Sequence, residues 1–465
     1  MSTRTRLWLL AATAILIGYP LAAWIIGFIV QEQVQAREQA ALQRAGPYFT
    51  VEERTYRRGV FGATEVVTFG IDTKGLKTPA AAALIALSSY RLTARNTLHH
   101  GPFPGGRTFA LATIDTELVL PAEAQKDLDA LFPGQKPYTL RTSLGWLGGY
   151  RIEFSSPPAS GEPAPGTTIR SGGMSGTATV TRGQQSIALD FSAKGLGASS
   201  EEFQAQLDDV RVKSVKQRAF GSLRLGDSSV SIGRLEAHRK APEQRLLLSV
   251  QSLQIIDHSS ATGDYLSYSG KLGAGPVQAA KLTATREQLE YTATHIHGPS
   301  LAHLVDSLRG VANAAPSAPS ADQLQRQFWD AVRSDGIELL LHDPVIEIPH
   351  LDYDSPQGAF RLSARLTAPE LKREDLERGS PALVAALTQH LQANADIRID
   401  TGLLDKMTEG TPGNGDRLAI AARQLEAQGY IAHEGNALTT HLRFDHGKLS
   451  LDGKSFPPSR ASPQP

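Results

Sequence analysis

Ala359-Phe360-Arg361-Leu362-Ser363-Ala364-Arg365-Leu366-Thr367 alternates without interruption, with Phe360, Leu362, Ala364 and Leu366 on one side and Arg361, Ser363, Arg365 and Thr367 on the other. A period of two is the signature of a strand with one apolar and one wet face, the pattern of antiparallel sheet. Outward from this stretch the same period recurs. Ile187, Leu189 and Phe191 oppose Ser186, Ala188, Asp190 and Ser192, while Leu438, Thr440, Leu442 and Phe444 oppose Thr439, His441, Arg443 and Asp445. His446-Gly447 then turns the chain into Leu449 and Leu451, a hairpin signal. Thr64-Glu65-Val66-Val67-Thr68-Phe69 leans the same way, and from Ser175 to about Thr294 such runs follow one another between Gly, Asp and Ser turns. The region reads as a long meander. No recurring strand–helix–strand unit interrupts it, which argues against a doubly wound nucleotide-binding sheet.

Helical patterns are few and lie between the strand blocks: Ala122 to Phe132, Ser300 to Ala312, Ala321 to Val332, Pro381 to Ala393 and Asp416 to Gln428. Pro, Ser and Gly cluster at Ser155 to Gly176, Ala314 to Ser320, Glu409 to Gly415 and Phe456 to Pro465, the composition of linkers. The expected organisation is a β-rich region at 47–155, an antiparallel meander at 160–313, an α+β region at 321–453 and a disordered tail at 454–465.

The N-terminus is of another character. Leu7 to Val30, LWLLAATAILIGYPLAAWIIGFIV, carries no charge. Its 24 residues would make a helix of about 36 Å, against a hydrocarbon core of about 30 Å. Trp8 at one end and Trp24 and Phe28 near the other suit the two membrane interfaces, and Arg4 and Arg6 favour a cytoplasmic start for residues 1–6. A cleaved signal peptide is the competing reading. Its apolar core would be shorter and would end at a small-residue site, whereas Val34-Gln35-Ala36 lies beyond a polar gap. The expectation is an uncleaved signal-anchor with ends at Leu7 and Val30, then a helical stalk at 31–46 that stops at Gly46-Pro47. The main body would then be periplasmic. Complete absence of Cys among 465 residues fits an oxidising compartment, and it excludes disulfides and Cys-ligated metals.

Charge excludes further classes. Lys and Arg number 47 and so do Asp and Glu, with no basic run, so nucleic acid is not an expected partner. Catalytic signatures are thin. Gly453-Lys454-Ser455 resembles the end of a phosphate loop, but the earlier glycine is replaced by Lys448. Asp352 and Asp354 share a strand face within turn-like sequence, which suits a solvated loop better than a carboxylate pair. The histidines His295, His297 and His303 are the metal candidates. A strand would point the first two the same way, and a helix beginning near Ser300 could return the third, with Asp306 at hand. A solvated polar strand face followed by a loop is the favoured explanation, because the spacing matches no established metal motif. No cofactor is called for by any motif.

Four local patterns carry a resemblance. They are Tyr56-Arg57-Arg58-Gly59-Val60-Phe61, His100-Gly101-Pro102-Phe103-Pro104, Leu341-His342-Asp343-Pro344-Val345-Ile346 and the hairpin from Thr439 to Gly453. With the apolar N-terminus, and in this order, the chain resembles the YdgA-like family, bacterial proteins of unknown function in Gram-negative envelopes. The resemblance implies a single-pass inner-membrane protein with a periplasmic body and supplies no catalytic residues. In the His100–Pro104 run the prolines fix φ and Gly101 permits close backbone approach. Such a run forms either a rigid strand-end corner with Phe103 plugging a core or a ligand or partner contact with His100 as its polar element. The expected protein is mainly β with a few helices: one transmembrane helix followed by an elongated, mostly antiparallel ectodomain. Its expected role is non-enzymatic, handling a lipid acyl chain or an envelope partner in a β groove. A periplasmic hydrolase with a His-based metal site and a scaffolding protein are the alternatives.

Overall fold

The computed structural model describes residues 19–36, 49–71, 91–106, 109–279, 282–314, 321–374, 380–408 and 415–456. Two compact units divide the chain, one made chiefly of residues 1–201 and the other of residues 202–212, 216–309 and 325–465.

In the first unit an apolar helix, α1 (residues 19–36), precedes the strands β1 (Phe49–Arg58), β2 (Gly62–Ile71), β3 (Leu92–His100) and β4 (Ala112–Val119). Helix α2 (Ala122–Leu131) follows, then β5 (Thr139–Leu144), β6 (Tyr150–Ser156), β7 (Ala159–Ala164), β8 (Thr167–Ser171), β9 (Met174–Val180), β10 (Ser186–Ala193) and β11 (Leu196–Ser199). Antiparallel pairing runs β1–β2–β3–β4–β5–β6–β9–β10, with β7, β8 and β11 as a side ladder. The stretch expected as a linker around 160 is therefore this side ladder. Its Pro163 is accommodated by a register break between Gly161 and Ala164, since a proline cannot donate to a continuous ladder. Composition alone cannot separate such an edge hairpin from a linker.

The second unit continues with β12 (Phe203–Asp208), β13 (Val210–Arg218), β14 (Arg224–Arg239), β15 (Arg245–Thr262), β16 (Tyr265–Ala274), β17 (Val277–Ala279), β18 (Leu282–Ala284) and β19 (Arg286–His297). Helices α3 (Gly298–Ala314) and α4 (Ala321–Leu340) lead to β20 (Val345–Ser355) and β21 (Gly358–Thr367). Then come α5 (Ser380–His390), β22 (Gln392–Asp400), α6 (Thr401–Thr408), α7 (Gly415–Ala427), β23 (Ala432–Glu434), β24 (Ala437–Asp445), β25 (Lys448–Leu451) and β26 (Lys454–Phe456). Its main sheet pairs β12–β14–β15–β16–β19–β20–β21–β22–β24–β25–β26, antiparallel throughout. The alternating runs at 186–192, 359–367 and 438–445 lie within β10, β21 and β24. His446 and Gly447 both have positive φ, as the hairpin turn requires. Lys454–Phe456, expected to open the disordered tail, pairs instead with β25 through the Asp452-Gly453 turn. The tail from 457 lies outside the described residues.

Two expectations meet at the N-terminus. Residues 7–18 of the apolar run lie outside the described residues, and among those described no helix is long and apolar enough to cross a membrane. Residues 19–30 are helical, but they rest on protein: Ile26 and Val30 are buried with Ala63, Leu98, Leu111, Ala112, Ile114 and Leu144 in the core of the first unit. Val34 packs on the same core, so residues 31–36 do not form a free stalk. The sheet supplies a matching apolar face that no reading of the helix alone could reveal.

Candidate functional site

The sequence patterns at 58–61 and 100–104 meet on α1. Alternation along β3 turns Ala94, Leu98 and His100 inward, and His100 is the last residue of that strand. It is 1% exposed, and its Nδ1 lies 2.9 Å from the Ala23 carbonyl oxygen of α1. That oxygen can only accept, so Nδ1 carries the proton. Burial holds the His100 pKa below the ordinary histidine value, and the charges of Arg58 and His99 push the same way, against hydrogen bonding to backbone carbonyls. The ring is thus a neutral donor at neutral pH.

Close approach of helix and strand depends on two glycines. A Cβ at Gly27 would lie 2.7 Å from His100 Cε1, inside van der Waals contact. Gly101 has φ +129°, and a Cβ there would lie 3.3 Å from the Ala23 Cβ. The Gly101 amide donates to the Leu111 carbonyl at 3.1 Å, and the His100 amide donates to Phe61 at 3.0 Å. The β1–β2 turn closes with Gly59 N–H on the Gly62 carbonyl at 2.7 Å. At the start of the described helix, the Tyr19 hydroxyl donates to the Phe103 carbonyl at 3.3 Å, and its ring stacks on Phe61 with centroids 5.9 Å apart. Arg58 lies with its guanidinium carbon 3.4 Å from the Phe28 centroid and 5.8 Å from that of Trp24, a cation–π arrangement.

The roles expected of Phe103 and His100 in this run are both corrected. Phe103 plugs no core, being 54% exposed, and the polar element His100 is spent on the chain's own helix. The corner acts as a clasp. Leu21, Trp24, Ile25, Phe28 and Ile29, on the side of α1 away from the sheet, remain exposed.

Deeper along the same inner face lies a polar chain that sequence reading passed over. Glu65 is 1% exposed, yet it accepts from Arg54 Nε at 3.1 Å and from Asn96 at 2.9 Å. Asn96 in turn accepts from Thr116 at 2.8 Å. Burial, with Glu65 nearby, raises the Tyr56 hydroxyl above the usual phenol value, against the opposing charge of Arg58. The signal was present in the sequence: Glu65 shares the strand phase of Ala63 and Val67, where a charge needs a partner.

The histidine candidates do not assemble into a ligand set. His297 Nδ1 lies 2.7 Å from Ser300 Oγ, and its ring stacks on His342 of the 341–346 motif, with centroids 3.8 Å apart. His295 has φ +58°, which breaks the strand alternation, and its ring packs on Tyr265 at 5.2 Å, the same ring that His297 meets at 6.0 Å. His303 is exposed on α3. Among the described residues no group of three His, Asp or Glu side chains could hold a metal ion. Asp352 and Asp354 both face Arg361, at 3.6 Å for Asp352. They therefore belong to the ion pairs of a charged sheet face and not to an acid/base pair.

The second unit holds one arrangement of binding character. Direct register aligns Val230, Ile255, Leu272, Leu289, Leu351, Leu362 and Ile397 across seven adjacent strands, β14 to β22. Each is half-buried. Six steps of about 4.8 Å make the row roughly 29 Å long. The parallel row Tyr353–Phe360–Ile399–Leu438 widens it. The opposite face carries ion pairs, among them Lys271–Glu290 at 2.8 Å and His441–Asp396 at 2.7 Å. It borders an open trough of about 720 Å³ that includes His350, Arg361, Arg398 and His441.

Long antiparallel sheets with one apolar and one charged face, the first of them clasping an apolar helix, define a mainly β protein with a few helices. Residues 5–459 match the family of bacterial proteins of unknown function designated DUF945, and the chain belongs to it. No curated protein and no solved structure matches the chain.

Proposed function

We propose that this protein is anchored in the inner membrane of a Gram-negative envelope, with its body in the periplasm, and that the sheet of the second unit carries a lipid acyl chain on its apolar face. The observation that carries the reading is the row from Val230 to Ile397, apolar at every step across seven strands and half-buried throughout. A narrow apolar track about 29 Å long exceeds the roughly 15 Å that acyl chains span in one leaflet. The seven residues of the row carry no polar side chain to select a headgroup, so selectivity would lie in the chain. The uncharged run from Leu7 to Val30, preceded by Arg4 and Arg6, supports the anchor and its direction.

The test is titration of a dansylated palmitate into the full chain held in nanodiscs. Leu289→Asp and Leu351→Asp place a charge on the track, and binding to the protein should weaken at least tenfold. Lys271→Ala, on the charged face, should leave it unchanged. Equal binding by all three variants, or none by the parent chain, overturns the reading and leaves a protein partner as the occupant to seek.

A further inference from the structure

One edge of the first unit is apolar where loop tips ordinarily are not. Register places Gly62 beside His99, His100 beside Ala112, Ala112 beside Leu144 and Leu144 beside Tyr150. The loops at 59–61 and 145–149 and the described residues 101–106 and 109–111 therefore emerge side by side. Their tips carry Val60, Phe61, Phe103, Phe109, Trp146 and Leu147, and the exposures of Phe109 and Leu147 reach 71% and 82%. These side chains join into one patch, with Phe103–Phe109 centroids 5.7 Å apart and Phe109–Trp146 centroids 5.4 Å apart. Exposed, contiguous and aromatic-rich surface of this kind marks an interaction site.

What it meets is indicated by where the chain comes from. Tyr19, stacked on Phe61 and bonded to the Phe103 backbone, puts the start of α1 at this edge. The twelve residues before it, Leu7 to Gly18, are uncharged. The exposed outer side of α1 continues the patch from Leu21 to Ile29. None of the three loops contains Asp or Glu, and Arg58 flanks them beside Phe28, a charge pattern suited to anionic headgroups.

We propose that this edge is seated in the bilayer: the three loop tips and the outer side of α1 rest in the headgroup and upper acyl region, so that the apolar N-terminus enters lipid directly from the clasp. The proposal rests on the membrane-anchor reading and extends it to the body. The clasp holds the second half of the apolar run against the sheet while its other side faces lipid. The run then divides its work: residues 7–18, about 18 Å at a helical rise, are the part left to enter lipid as anchor, while residues 19–30 form part of the seat. Aromatic side chains at such a depth are the usual occupants of the interface.

The test uses the full chain reconstituted in vesicles of phosphatidylcholine and phosphatidylglycerol, with and without bromine on the acyl chains. The chain contains four tryptophans, Trp8, Trp24, Trp146 and Trp329. A variant retaining only Trp146 should lose at least half its emission in brominated vesicles, and adding Phe109→Asp and Leu147→Asp should abolish that loss. Both positions are so exposed that the fold does not depend on them. A variant retaining only Trp8 separates the two readings. If Trp8 is quenched and Trp146 is not, the anchor stands and the seat is overturned. If neither is quenched, both fall. Trp146 shielded from brominated lipid and from acrylamide alike would mean that protein covers the edge, and this also overturns the proposal.

Discussion

Gly27→Ala is the sharpest probe of the clasp, because helix propensity and packing predict opposite signs. In an unpacked helix the substitution stabilises by about 1 kcal/mol. Here the new methyl would meet His100 Cε1 at 2.7 Å, Nε2 at 3.0 Å and Nδ1 at 3.2 Å. The ring cannot swing away without surrendering its bond to the Ala23 carbonyl, and the surrounding core holds it on every side. Overpacking costs about 1–3 kcal/mol, and a buried donor left without its acceptor costs another 1–3 kcal/mol or so. Allowing for partial relaxation, the net expectation is a loss of about 1–3 kcal/mol. In a His100→Ala background the clash is gone and the same change should stabilise by about 1 kcal/mol. The double-mutant cycle should therefore give a coupling of roughly 2 kcal/mol or more. Denaturant unfolding of the full chain in detergent, followed through a lone Trp24 that reports release of the helix, measures all four corners. Coupling below about 0.5 kcal/mol would refute the reasoning, since it would mean that α1 and the sheet are not in contact.

Other outcomes follow from the same geometry. The pKa of His100 is lowered on folding by burial, and so is that of His342, through burial and the adjacent His297. The unfolded chain therefore binds more protons as pH falls below about 6.5. Stability should be complete above that pH and drain away below it, and His100→Asn, which keeps a donor but does not titrate, should flatten part of the slope in thermal melts. Glu65→Ala strips Arg54 and Asn96 of their shared acceptor in the interior and should cost about 3–5 kcal/mol, whereas Glu65→Gln, which keeps an acceptor for Asn96, should cost less; chemical denaturation ranks them. Leu98 is 1% exposed between α1 and the sheet, so Leu98→Ala should lose about 2–5 kcal/mol in the same assay. His297→Ala should lower stability through the lost Ser300 contact and His342 stacking without altering zinc uptake measured by calorimetry.

Much of the architecture was legible in the chain. Period-two alternation at 359–367 and 438–445 located β21 and β24, and the apolar stripe after Ser300 located α3. Side-chain alternation is a local consequence of the pleat, so it survives reading one residue at a time. Helix α6 escaped because its eight residues, Thr401–Thr408, are too short to show a period. The ladder β7–β8 escaped because its Pro, Gly and Ser content mimics a linker. The patterns at 58–61 and 100–104 drew attention by composition, but their purpose was hidden. Pro102 and Pro104 announce a rigid corner, yet nothing in them says that His100 turns inward to an oxygen 77 positions earlier.

The sequence by itself determined a β-rich chain with an uncharged apolar N-terminus, one wet and one apolar face on its strands, and no thiol chemistry. These follow from residue type and near-neighbour spacing. Tertiary structure alone decided which apolar surfaces meet. It placed Gly27 against His100, drew Glu65, Asn96 and Thr116 into one hydrogen-bonded chain, left His303 apart from the two histidines that share Tyr265, and lined seven strands into a single apolar row. Each of these depends on register between segments distant in the chain, and register is set by the sum of contacts over a whole sheet and not by any one stretch of sequence.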